Sequence, residues 1–167
     1  MRHGSMVTLT TRPAADAEVA RKYEHLSWFE WKRRRSAREE AAQGQVEVVT
    51  FEVCRAWKLF SCDGSPCCPN EWLLETTDGD FVQMDSWSAL QPTGRGFFPG
   101  RVVTAARWPL TQRLITASTA GDPLKPENAE VSVDALIDLG NQYVQCRILR
   151  LNDLPERVRS VVGRSAA

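Results

Sequence analysis

The chain has 167 residues with 21 basic and 21 acidic side chains, so it carries no net charge and lacks the global field that draws proteins to nucleic acid or an anionic membrane. A hydrophobic content of 43% and a charged content of 25% exclude a chain disordered throughout. The length suits one domain better than two, and no run approaches the ~18 apolar residues of a transmembrane helix.

Met1 to Ser5, followed by Met6, reads as a cloning scar before a native start, and residues 1–13 are expected to be a disordered start. With no apolar export segment behind that start, a cytoplasmic location is expected. The five cysteines (Cys54, Cys62, Cys67, Cys68 and Cys146) are odd in number, which fits reduced thiols better than a disulfide framework.

Residues 14–43 are rich in Ala, Glu, Arg and Lys, with no Gly or Pro before Gly44, and predict an N-terminal helix. A β-rich domain is expected over 44–163, with a short tail at 164–167. Its first strand is Gln45–Phe60, where Val49, Phe51, Val53, Arg55, Trp57 and Leu59 alternate along one face. Val46 and Val48 are out of phase with that series, which suggests a bulge near Val48–Val49.

Glu71–Trp87 reads as a hairpin hinged on Asp78-Gly79. A two-residue loop would mix apolar and polar residues on each face. A three-residue loop, Thr77-Asp78-Gly79, pairs Trp72 with Met84 and Leu74 with Val82, leaving Glu71, Glu75 and Asp85 on a wetter face. Because side chains alternate with period two, burial of one face selects the second register. Gly79 then takes the left-handed position of the turn.

Further strands are expected at Arg101–Arg107, Gln112–Ser118 and Gln142–Leu151, with Pro109 in a connection and a turn at Gly121-Asp122-Pro123. Short helices are expected at Val131–Leu139, stopped by Gly140, and at Pro155–Val162, with Gly163 beyond its end. These elements predict an α+β fold: an antiparallel sheet or small open barrel of about six strands, with an N-terminal helix and short C-terminal helices.

No residue pattern prescribes a reaction. His25 alone lies outside the scar, and a histidine on a helix surface is the simpler reading than a catalytic triad. Asp78 and Asp80 flank a glycine, which is first of all turn chemistry. Gly94-Arg95-Gly96 lacks the spacing of a phosphate loop. Cys54, Cys62, Cys67 and Cys68 are the alternative set for a thiolate zinc site, but no second pair at C-x₂₋₄-C spacing accompanies them. No cofactor is therefore expected.

Trp28-Phe29-Glu30-Trp31-Lys32-Arg33-Arg34-Arg35 concentrates aromatic and basic side chains. Trp28, Trp31, Arg33, Arg34 and Arg35 are the candidate partner-binding residues if they face away from the sheet, and helix-docking residues if they do not. The rival reading is a small enzyme or ligand-binding domain with a pocket at the barrel mouth, using Arg55, Trp57 and the hairpin carboxylates.

The segments FFPGRVVTAARWPLTQRLITASTAGDPL and CRILRLNDLPERVRS resemble a group of small bacterial domains of unassigned function. Those domains carry a Pro-led strand, an R-x-P corner, a G-x-P-L turn and a closing L-x-x-L-P helix. The resembling segments lie within residues 97–160 and imply no catalytic residues. Together these readings favour a non-enzymatic binding or structural module that contacts a protein partner or a second copy of itself, with nucleic acid not expected as a partner.

Overall fold

The computed structural model describes residues 7–19, 35–61, 71–85, 99–140 and 146–164. Its described elements are β1 (Thr8–Pro13), α1 (Arg35–Gln43), β2 (Gln45–Phe60), β3 (Glu71–Thr76), β4 (Phe81–Asp85), β5 (Gly100–Arg107), β6 (Leu114–Pro123), β7 (Glu127–Glu130), α2 (Val133–Gly140), β8 (Cys146–Leu149) and α3 (Glu156–Arg164), with a 3-10 turn at Leu151–Asp153. The strands form one open sheet in the order β6-β5-β2-β3-β4-β8, with β1 and β7 also pairing on β2. All pairings are antiparallel except β2 with β7.

The hairpin has the register that burial demands. Trp72 pairs with Met84, Leu74 with Val82 and Glu75 with Phe81 across the loop Thr77-Asp78-Gly79. Gly79 lies at φ +85°, where a glycine avoids the penalty of a Cβ. Its second face is not wet, however. Glu71, Leu73, Phe81 and Gln83 are all buried, because α2 and α3 bring Leu136, Leu139, Val158 and Val162 down on Leu73, Phe81, Trp57 and Leu59. The opposite face of the same strands lines the other large core, with Phe51, Val53, Val103 and Ala117.

Four further expectations need correction. Residues 8–13 are not disordered: they form β1, pairing from Thr8↔Thr50 to Pro13↔Gln45. With β7 this raises the described strand count from six to eight. The bulge in β2 lies between Val53 and Arg55 and not at Val48–Val49, where the ladders to β1 and β5 run without interruption. Inserting Cys54 reverses the phase, so Val49, Phe51 and Val53 enter one core while Trp57 and Leu59 enter the other. Gly121, at φ +77°, lies inside β6 at a register shift opposite Gly100–Val102 rather than in a turn.

The fourth correction concerns the N-terminal helix. Residues 16–19 and 35–43 are helical. A single straight helix over residues 14–43 would be about 45 Å long. Instead Ala14 N donates to Gly44 O at 2.6 Å, so the two ends of the segment meet and one uninterrupted helix is excluded. The short C-terminal helices fall close to where expected, except that α2 starts at Val133 and includes Gly140, and α3 runs through Gly163 to Arg164.

Candidate functional site

The point where residues 14–44 leave and rejoin the sheet is fastened by polar contacts from both sides. The Arg12 guanidinium donates from both terminal nitrogens to Glu18, at 2.8 and 2.6 Å, and this charge-assisted bonding raises the Arg12 pKa. The Glu18 carboxylate also accepts from Ala15 N at 2.9 Å, satisfying a first-turn N–H of the helix that begins there. Ala14 and Val19 pack against Val46, Ala106 and Trp108 on the outer face of the sheet.

On the return side Glu40 is fully buried. Its carboxylate accepts from Leu110 N, from Thr111 N at 2.5 Å and from Thr111 Oγ1 at 2.7 Å. It thereby serves donors in the turn between β5 and β6, where Pro109 sits and where Gln112 adopts φ 54°. Glu40 follows Glu39 in a helix-forming stretch, and no local signal in the sequence marks it as buried.

Of the candidate partner-binding residues, Trp28, Trp31, Arg33 and Arg34 lie outside the described residues, and only the backbone of Arg35, at the start of α1, is described. Of the cysteines, Cys62, Cys67 and Cys68 likewise lie outside them.

Of the residues in the rival reading, Arg55, Trp57 and Glu75 come together, while Glu71 bonds to Gln83. Arg55 Nη2 lies 2.9 Å from Glu127 and Nη1 lies 3.9 Å from Glu75, while the guanidinium carbon sits 4.6 Å from the Trp57 ring centroid. Trp57 in turn meets Phe81 at 6.2 Å. The group joins β2, β3 and β7 through a cation flanked by two carboxylates and laid on an indole face. Its charges compensate one another, so an incoming anion would have to displace Glu127, the more exposed partner. Trp57 Nε1 is buried with no hydrogen-bond acceptor.

Two further polar pairs are internal. Arg107 Nε donates to Glu47 Oε2 at 2.5 Å and its Nη1 to Cys146 O at 2.7 Å, linking β5, β2 and β8. Cys146 N donates to Gln112 O, so the two ends of the open sheet approach one another here. Gln83 Nε2 donates to Glu71 Oε2 at 2.6 Å beneath the helices, while Gln83 Oε1 has no partner. Each large apolar side chain buried beside that pair contributes about 1.5 to 3 kcal/mol, enough to outweigh one unmet acceptor.

Neither described cysteine is prepared as a nucleophile. Burial pushes the Cys146 thiol up to about 11 despite the nearby Arg107. Partial burial, and then the Glu75 carboxylate, raise the exposed Cys54 thiol. Cys54 donates weakly to Glu75 O at 3.4 Å. Among the described residues, no three His, Cys, Asp or Glu side chains converge as a metal-binding set. No described helix is long and apolar enough to cross a membrane.

Comparisons with protein-family models, with curated proteins and with solved structures found no match to this chain.

Proposed function

We propose that the protein is a non-enzymatic binding module whose contact residues are Trp28, Trp31, Arg33, Arg34 and Arg35. The observation that supports this most is the closed loop at Ala14 and Gly44. The chain leaves the sheet and returns to one point, and Trp28 to Trp31 lie midway along it, furthest in sequence from that anchor. Aromatic and arginine side chains are the types that dominate binding energy at protein contacts. The anchoring bonds of Arg12, Glu18 and Glu40 give such a segment a fixed base, which reduces the ordering cost of binding.

The test is affinity capture from a lysate of the source organism with the intact chain and with Trp28→Ala/Trp31→Ala. A partner retained by the wild type and lost by the variant supports the reading; equal retention by both contradicts it.

A second reading is supported by the convergence of Arg55, Trp57, Glu75 and Glu127, which would make a small-anion site if Glu127 swings away. A thermal-shift screen with small organic anions tests it. Stabilisation that disappears in Arg55→Ala supports the site, and no stabilisation by any anion contradicts it.

A further inference from the structure

Among the described residues, β1, β6, β7 and β8 each pair along one side only, and they differ in how well the other side is protected. An open edge presents unpaired N–H and C=O groups that template pairing with another chain. Strand β6 carries Gly121 at positive φ and register shifts near both ends. Strands β7 and β8 are four residues each, and β7 begins and ends on Glu. These are the usual protections. Strand β1, TLTTRP, has fewer of them: it has no bulge and no glycine, and its one charge and its proline are confined to the last two residues, Arg12 and Pro13.

The ladder shows which groups of β1 face outward. Ala14 N donates to Gly44 O in the same register that pairs Arg12 with Val46, Thr10 with Val48 and Thr8 with Thr50. Antiparallel pairs alternate between hydrogen-bonded and non-bonded, so Thr8, Thr10 and Arg12 bond to β2. Leu9, Thr11 and Pro13 therefore turn their backbone groups away from it. Pro13, which has no N–H, occupies a position where that loss removes no ladder bond. Leu9 is 50% exposed and Thr11 is exposed.

We infer that β1 is a self-association edge and that its occupant is β1 of a second copy of this chain, joined antiparallel about a two-fold axis through Thr10. This surface is separate from the proposed Trp28–Arg35 contact. The two-fold register places Leu9 opposite Thr11 of the second copy, and each such pair exchanges both backbone hydrogen bonds, since all four residues face outward. The two Leu9 side chains become diagonal neighbours on one face of the joined sheet, within reach of one another. Charge permits the approach: the chain is neutral overall, and Arg12, the one charge on β1, is held by Glu18 and falls opposite Thr8 of the second copy.

Thr11→Pro removes an outward N–H while sparing the ladder to β2, and Leu9→Lys sets two like charges beside the axis. Light scattering of the full chain, up to about 100 μM, should give a dimer mass for the wild type and a monomer mass for both variants, with unchanged circular dichroism. A wild type that stays monomeric throughout that range overturns the inference. So does a dimer that survives both variants or that is lost only in Trp28→Ala/Trp31→Ala. If Thr11→Pro fails to fold, Leu9→Lys alone decides.

Discussion

Glu40 in α1 and Thr111 in the β5–β6 turn, 71 residues apart in sequence, are bonded at 2.7 Å, and the same carboxylate also takes up the Leu110 and Thr111 amides. One side chain therefore completes a turn and pins the returning end of the N-terminal segment. Glu40→Ala leaves buried donors unmet and should cost about 2 to 4 kcal/mol in urea unfolding. It should also expose residues 14–44 to limited proteolysis before the sheet unfolds. A loss below about 0.5 kcal/mol would show that the turn finds other acceptors.

Arg107 and Glu47 test a buried ion pair. Removing Arg107 alone strands the mostly buried Glu47 carboxylate and the Cys146 carbonyl, so Arg107→Met should destabilise by about 3 kcal/mol or more. Arg107→Met with Glu47→Met should recover much of that loss, because the desolvation penalty leaves with both charges. A double-mutant cycle from chemical denaturation measures the coupling, expected to exceed about 1 kcal/mol.

Cys146 gives a pH signature. Its thiol holds its proton more tightly when folded, up to about 11 against an ordinary 9.0. The associated stability is therefore fully present below about pH 9 and is lost as pH rises through about 11. Wild type minus Cys146→Ala should fall by roughly 2 kcal/mol across that window, and a flat difference would show that the thiol is not held neutral by burial.

The glycines should rank by conformation and space. Gly100→Ala should be the most damaging, since a Cβ there would lie 2.7 Å from Thr119 Oγ1 and 2.8 Å from the Ala120 carbonyl. Gly79→Ala meets open space but must hold φ +85°, at a cost of about 1 kcal/mol. Gly163→Ala, in α3 with open space, should stabilise by roughly 0.5 to 1 kcal/mol. Thermal melts of the three variants test the order.

The parts of the fold legible in the sequence are those governed by neighbours. The hairpin register follows from the apolar positions Trp72, Leu74, Val82 and Met84 together with Gly79, and α2 and α3 lie within two residues of their expected bounds, although each runs through the glycine expected at its end. What was not legible depends on distant partners or on a single inserted residue. Nothing beside Cys54 marks a bulge, yet it sends Trp57 and Leu59 to the opposite core from Phe51. Strand β1 is exposed on both faces, so it shows no alternation, and its existence rests on the edge of β2. Glu40 looks like any surface glutamate until the β5–β6 turn arrives above it. For the candidate site, Arg55 and Trp57 were brought together as their spacing suggested, but Glu127 joins them only through the parallel pairing of β7.

The proposed contact through Trp28 and Trp31 is tested most directly by the stability of Trp28→Ala/Trp31→Ala in urea. Contact residues held off the sheet should leave the unfolding free energy within about 0.5 kcal/mol of wild type. A loss of about 3 kcal/mol or more would make these tryptophans part of the core and contradict the binding-module account.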